Sequence, residues 1–98
     1  MTHVIKKVLI SGHVQGVFFR DSTWRKANEL KLQGGVRNLS DGRVEVIISG
    51  VDAEVQLLIK WLKIGPKHAK VTTIEVMDYA DSAEQIQQQR QFEVWPTK

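Results

Sequence analysis

Val8, Leu9 and Ile10 form a short apolar run within Lys6–Ser11, closed by Gly12, and predict a buried strand. Gly12–Phe19 follows as a loop holding two glycines. With Asp21 or Ser22 as N-cap, the pattern predicts a helix to about Leu32, turning Trp24, Ala27 and Leu30 toward the core. Gly34-Gly35 is expected to stop it. Val36–Leu39 and Arg43–Ser49 then flank Ser40-Asp41-Gly42, a hairpin signal, because Asp-Gly supplies the positive φ that tight hairpin turns need. The second strand alternates, with Val44, Val46 and Ile48 on one face and Arg43, Glu45 and Ser49 on the other. Beyond Asp52, the positions Val55, Leu58, Ile59 and Leu62 follow i, i+3, i+4, i+7 and predict an amphipathic helix ended by Gly65-Pro66. Val71–Tyr79 is rich in β-branched residues and reads as a strand. Asp81–Gln91 is polar and glutamine-heavy and is expected to be a solvated connection. Phe92 and Val94 predict a short last strand before Pro96.

The order β-α-β-β-α-β with a late extra strand predicts an α+β, ferredoxin-like sandwich. Two helices would pack on one face of a four- to five-stranded, mainly antiparallel sheet. Such folds host many functions, so the site must decide the chemistry.

Composition narrows the choice. The chain of 98 residues is read as one domain, 1–98, with 42% hydrophobic and 26% charged residues, ordinary values for a soluble globular fold. Cysteine is absent, which excludes disulfides, thiolate metal sites and a cysteine nucleophile. Apolar runs are too short to span a bilayer. Lys6 and Lys7 interrupt any hydrophobic leader, so a cytoplasmic location is expected, with no membrane partner. The net charge of +3 is uneven: residues 1–49 hold eight basic and four acidic side chains, residues 50–98 six and seven. A positive front half suits an anionic ligand, but the excess is too small to point to nucleic acid and also fits a solvated surface.

The chemistry concentrates in Gly12-His13-Val14-Gln15-Gly16-Val17-Phe18-Phe19-Arg20, which leads straight into a helix. Successive backbone N–H groups in such a loop can converge on an anion, and the helix N-terminus adds free donors and a favourable dipole. Arg20 at the junction offers a bidentate fork to two anionic oxygens. Neither a Walker A sequence nor a dinucleotide fingerprint is present. The same residues also fit a plain strand-to-helix turn with Arg20 on the surface. Asn38, just before the hairpin turn, can hold a water molecule against an electrophile, or can simply cap the Asp41-Gly42 turn. His13 is the one histidine near the loop and an alternative base. His3 and His68 lie far off and make no spaced metal cluster.

The two stretches together resemble acylphosphatases. That family's first motif, an aliphatic residue, any residue, then G-x-V-Q-G-V-x-F-R, is matched by Ile10 through Arg20 at every defined position. Its second is matched by Gly34, Val36, Arg37, Asn38, Gly42, Val44 and Gly50. Gly65-Pro66 with Ala69-Lys70-Val71, and the closing Phe92-Glu93-Val94, extend the likeness from Lys6 to Val94. The resemblance implies hydrolysis of acyl phosphates to a carboxylate and inorganic phosphate. In that scheme Arg20 and the backbone N–H groups of Gln15, Gly16, Val17, Phe18 and Phe19 bind the phosphoryl group, while Asn38 orients the attacking water. It implies a monomer with no cofactor and no metal, whose site inorganic phosphate or sulfate would also occupy.

Two positions depart from the pattern. Lys31 stands near the helix end where relatives often have glycine. Gly35 stands where the family usually has an aromatic; a glycine weakens a strand and offers nothing to pack, so unless Trp24 or another ring fills that space, the placement of Asn38 is expected to loosen and catalytic efficiency to fall. Gly35 also keeps open a domain that binds anions or carbamoyl phosphate for a partner and turns over poorly. An RNA-recognition domain shares the element order, but Arg43–Ser49 carries no aromatic to stack bases and no RNP1 pattern is present.

Overall fold

The computed structural model describes residues 2–81 and 83–98. Its strands are β1 (His3–His13), β2 (Gln33–Asn38), β3 (Val44–Val51), β4 (Lys70–Asp78) and β5 (Glu93–Val94). Its helices are α1 (Phe19–Glu29), α2 (Asp52–Leu62) and α3 (Ala83–Gln87). The sheet order is β4-β1-β3-β2-β5, antiparallel except for the parallel β2–β5 pair. This is the expected ferredoxin-like arrangement, with the late strand added beyond β2.

Register explains the core. Val8 pairs with Val46 and Ile10 with Val44, while Val36 pairs with Val46 from the other side. Side chains at paired positions point to the same face, so these four valines and Ile10 form one apolar surface. Phe19 and Ala27 of α1 and Val55, Leu58, Ile59 and Leu62 of α2 close over it. Each fully buried side chain of this size contributes about 1.5–3 kcal/mol. Trp24, Leu30 and Trp61 pack at its margin, half-buried.

Both ends of α1 differ from the expectation. Phe18, not Asp21 or Ser22, holds the N-cap position, and Asp21 sits in the first turn, paired with Arg25 at 3.1 Å. Cap preference was overridden here by the loop, which delivers the chain into the helix three or four residues early. At the other end the Leu32 N–H bonds Ala27 O at 2.9 Å and the Lys31 N–H bonds Asn28 O at 3.1 Å. That is a Schellman closure, with Lys31 at φ 57° in the position that favours glycine. The helix therefore ends before Gly34-Gly35, and both glycines lie inside β2 instead of terminating α1.

The face of the sheet away from α1 and α2 is also covered. β4 and β5 lie at opposite edges, so the chain joining them must cross the sheet. It carries α3, whose Ile86 is buried, as is Ile47 on β3. Gln33 Nε2 donates to Gln87 O (3.0 Å) and Gln89 O (2.6 Å), and the Gly34 N–H donates to Gln89 Oε1 at 2.8 Å. Asp81–Gln91 is thus no mere solvated connection; within it, Ser82 lies outside the described residues. Its glutamines hydrogen-bond to β2, a use that a polar composition cannot distinguish from solvation. On the same face Glu45 is buried between Arg37 (2.6 Å) and Lys7 (3.4 Å), and the cross-strand Arg37–Glu45 pair anchors β2 next to Asn38.

Candidate active site

The site is built where β1 hands over to α1. At the end of β1 the register with β4 shifts between Ser11 and Gly12. Gly12 adopts φ 127°, and a Cβ there would overlap the Lys70 carbonyl and come within 2.9 Å of Thr72 N. Only glycine lets the two strands stay this close while the chain turns away. Val14 and Val17 then bury their side chains in the core as anchors, leaving Gly16 and Phe18 exposed.

Gly16 (φ 76°) and Phe18 (φ 61°) are both left-handed, with Val17 between them. Alternation of this kind turns successive N–H groups toward one side, the geometry of an anion nest. The first bond of α1 runs from the Ser22 N–H to Phe18 O at 3.0 Å, so the N–H groups of Phe19, Arg20 and Asp21 stand outside the helical ladder. Among the described residues no side chain caps this end. The ring of Phe19 is buried and lies 6.0 Å from that of Trp61, which fixes the first residue of the helix.

Gln15 does more than lend its N–H. Its Nε2 donates to Leu39 O and Arg43 O, both at 2.8 Å, tying the loop across to the β2–β3 hairpin. The hairpin turn is closed by other groups. The Gly42 N–H bonds Leu39 O (3.1 Å), the Arg43 N–H bonds Asp41 Oδ1 (3.1 Å), and the Arg43 guanidinium bonds Asp41 Oδ2. The hydrogen bond from Arg43 holds the Asp41 carboxyl below its ordinary pKa. Capping of the turn therefore falls to Asp41, which leaves Asn38 free of that duty. Asn38 Oδ1 is buried without a hydrogen-bond partner among the described residues. An unsatisfied buried acceptor costs about 1–3 kcal/mol, a cost shared here by Thr23 Oγ1 and Glu54 Oε2, and of these residues Asn38 alone lines the cleft described next.

A cleft of about 470 Å³ unites these parts. Arg20, Asn38, Gly16 and Phe18 line it together with Val14, Phe19, Asp21 and Val94. Of the residues expected in the site, Gln15 and Val17 do not line the cleft; one side chain reaches the hairpin and the other the core. Arg20 is exposed and enters no salt bridge among the described residues, while its neighbour Asp21 pairs with Arg25. His13 ends β1 opposite Lys70, outside the cleft lining. His3 shares a hydrogen bond with Ser49 (3.0 Å), and His68 is exposed beyond α2. Among the described residues no three His, Asp or Glu side chains gather as metal ligands would. Sequence reasoning missed Val94 as a wall of the cleft, since only the β2–β5 pairing brings it there.

The acylphosphatase family model matches residues 6–94, nearly the whole chain. The chain belongs to the acylphosphatase family. It is 51% identical over 70 residues to an acylphosphatase of Rubrobacter xylanophilus, a match covering 71% of this chain and 64% of that relative. With an acylphosphatase of Methylococcus capsulatus it shares 48% over 77 residues, covering 79% and 84%. The solved acylphosphatase of Coxiella burnetii superposes with a TM-score of 0.84 at 36% identity, covering 95% of this chain and 93% of that one.

Against the acylphosphatase pattern, Gly35 now has an explanation. A Cβ at Gly35 would fall inside the Trp95 ring system, 2.5 Å from Cζ2. The aromatic is present, but Trp95 supplies it, not Trp24. The Trp95 N–H bonds Val36 O (2.8 Å), its ring nitrogen donates to Glu93 Oε1 (2.9 Å), and its ring lies 5.5 Å from the Arg37 guanidinium. Restoring an aromatic with Gly35→Tyr is therefore expected to destabilise the protein by roughly 2–3 kcal/mol through overpacking. Adding Trp95→Ala should recover much of that loss, giving a favourable coupling of about 1–3 kcal/mol in urea unfolding. Strictly additive costs would mean that the two side chains do not compete for one space.

Proposed function

We propose that this chain hydrolyses the carboxyl–phosphate bond of acyl phosphates, releasing a carboxylate and inorganic phosphate. The observation that carries the reading is the convergence of Arg20, the Asn38 side chain and the left-handed loop on one cleft. Arg20 and the N–H groups of Gln15 to Phe19 hold the phosphoryl oxygens and take up charge as the transition state forms. The Asn38 side-chain amide holds a water aimed at phosphorus, in line with the bond that breaks. The water oxygen bonds to phosphorus as the phosphorus–carboxyl oxygen bond breaks, and the carboxylate leaves with that electron pair.

The carboxylate is a good leaving group, with a conjugate-acid pKa of about 4, so no strong general acid is required. A phosphoryl oxygen takes the water proton, and the products are a carboxylate and dihydrogen phosphate. This assignment leaves no protein base to find, consistent with the position of His13 away from the cleft. One arginine and a set of backbone donors supply the positive charge, so the reading includes no cofactor or metal. The reading takes the chain as a monomer.

Benzoyl phosphate hydrolysis in excess EDTA tests the reading. Turnover equal to that without EDTA is the expected result. Activity lost in EDTA and restored by a divalent cation would overturn the metal-independent mechanism. No turnover at all, with inorganic phosphate still raising the melting temperature, would identify an anion-binding domain instead.

A further inference from the structure

On the reading above, the phosphoryl group and its water fall to Arg20, Asn38 and the loop N–H groups, which leaves the apolar lining of the cleft without a role. At its mouth stand two apolar side chains from distant parts of the chain: Phe18, 76% exposed, and Val94, 48% exposed. Phe18 is the more unusual. A non-glycine residue in the left-handed region costs about 1–2 kcal/mol, and the position favours glycine or asparagine. Here a phenylalanine holds it, with its ring in water and without the compensation of burial. Strain retained at a cleft is where a functional role is sought. Val94 reaches the same cleft only because β5 is added to β2 in parallel register.

We infer that Phe18 and Val94 form the platform for the acyl group, and that the chain favours acyl phosphates with an apolar acyl portion, aromatic or branched. This rests on the acyl phosphate reading above and adds its substrate class. The bond to be broken joins the phosphoryl group to the acyl carbonyl, so an acyl portion projects from the anion nest toward the cleft mouth. An aryl group there covers the exposed faces of Phe18 and Val94 and is itself removed from water. Burying one face of each is worth enough to make about a tenfold difference in kcat/KM against a methyl group. The phosphate loop thus carries two functions at adjacent atoms: backbone N–H groups for the phosphoryl end and the Phe18 ring for the acyl end.

The test compares benzoyl phosphate with acetyl phosphate on the wild type, Phe18→Asn and Val94→Ser. Asparagine is readily accepted in the left-handed region, so the first variant removes the ring while keeping the backbone conformation. The quantity read is the ratio of kcat/KM for the two substrates within each protein, which cancels any change in phosphoryl handling common to both. The ratio is expected to fall about tenfold in Phe18→Asn and about threefold in Val94→Ser, mainly through KM for benzoyl phosphate. An unchanged ratio in both variants would overturn the acyl platform, even if absolute rates fell. Should the wild type hydrolyse neither compound, the hydrolysis reading fails, and binding of benzylphosphonate against methylphosphonate by calorimetry decides the platform. Tighter benzylphosphonate binding that Phe18→Asn abolishes would support it, and equal binding of the two phosphonates would overturn it.

Discussion

Arg20→Gln is expected to lower kcat/KM for benzoyl phosphate by at least about 10³-fold and to remove the thermal stabilisation that inorganic phosphate gives the wild type. The magnitude follows from the chemistry. A guanidinium aimed at a transferring phosphoryl group contributes about 10³–10⁵ in rate, because charge on the phosphoryl oxygens must be met without reorganisation. Glutamine keeps a neutral donor but is two bonds shorter and loses both the charge and the planar fork. The fold should not notice the change. Arg20 is exposed at the start of α1 and has no salt bridge among the described residues. Its replacement should therefore alter stability by no more than about 0.5 kcal/mol. Two readouts check the assignment: steady-state turnover, and the melting temperature with and without saturating phosphate, which reports binding by mass action. A variant that phosphate still protects would show the anion held by backbone N–H groups alone, with Arg20 serving another purpose.

Much of this arrangement was legible in the residues, and the parts that were not have a common physical origin. Periodicity located α2, which buries one face, and β3, whose alternating valines and isoleucine follow the period of a strand even though its other face is buried as well. Asp41-Gly42 located the hairpin, because its turn chemistry is local. The run from Gly12 to Arg20 pointed to an anion loop because glycine placement and the following helix are also local. What could not be read depends on residues far apart in the chain. Gly35 looks like a defect until Trp95, sixty residues later, is seen to occupy its missing side chain's space. The glutamines of the crossing segment look like solvent-facing residues until Gln89 meets the backbone of Gly34. At α1, local preference misled outright. Asp21 and Ser22 are good cap residues, but the buried Val17 and Phe19 fix the chain so that the left-handed Phe18 takes the cap. At Lys31 a residue with a side chain was held in a glycine conformation by the Schellman bonds around it. Tertiary packing overrode propensity at both helix ends, and at Phe18 the override coincides with the site.

Asn38→Ala carries the other large effect, and it is distinctive because activity and stability should part company. If the Asn38 amide positions the attacking water, its removal should lower kcat by about 10²-fold, the cost of losing one well-placed polar contact to the reacting groups. KM for benzoyl phosphate and the affinity for inorganic phosphate should change by no more than about threefold, since Arg20 and the loop are untouched. The same substitution deletes a buried acceptor that lacks a partner among the described residues. It thereby relieves a desolvation cost of about 1–3 kcal/mol, partly offset by the packing lost with the amide. The melting temperature should consequently hold or rise while turnover collapses, as expected where a residue is kept for function at the expense of stability. A structural role gives the opposite pairing. Were Asn38 needed to cap the hairpin or hold the loop, alanine would lower the melting temperature and weaken phosphate binding together. The backbone of Asn38 gives no reason to expect that. Its carbonyl accepts from the Lys98 N–H at 3.1 Å and its strand is registered on Val44, contacts that alanine retains. Measured side by side, unfolding and single-turnover hydrolysis of Asn38→Ala thus separate a water-positioning amide from a scaffold residue.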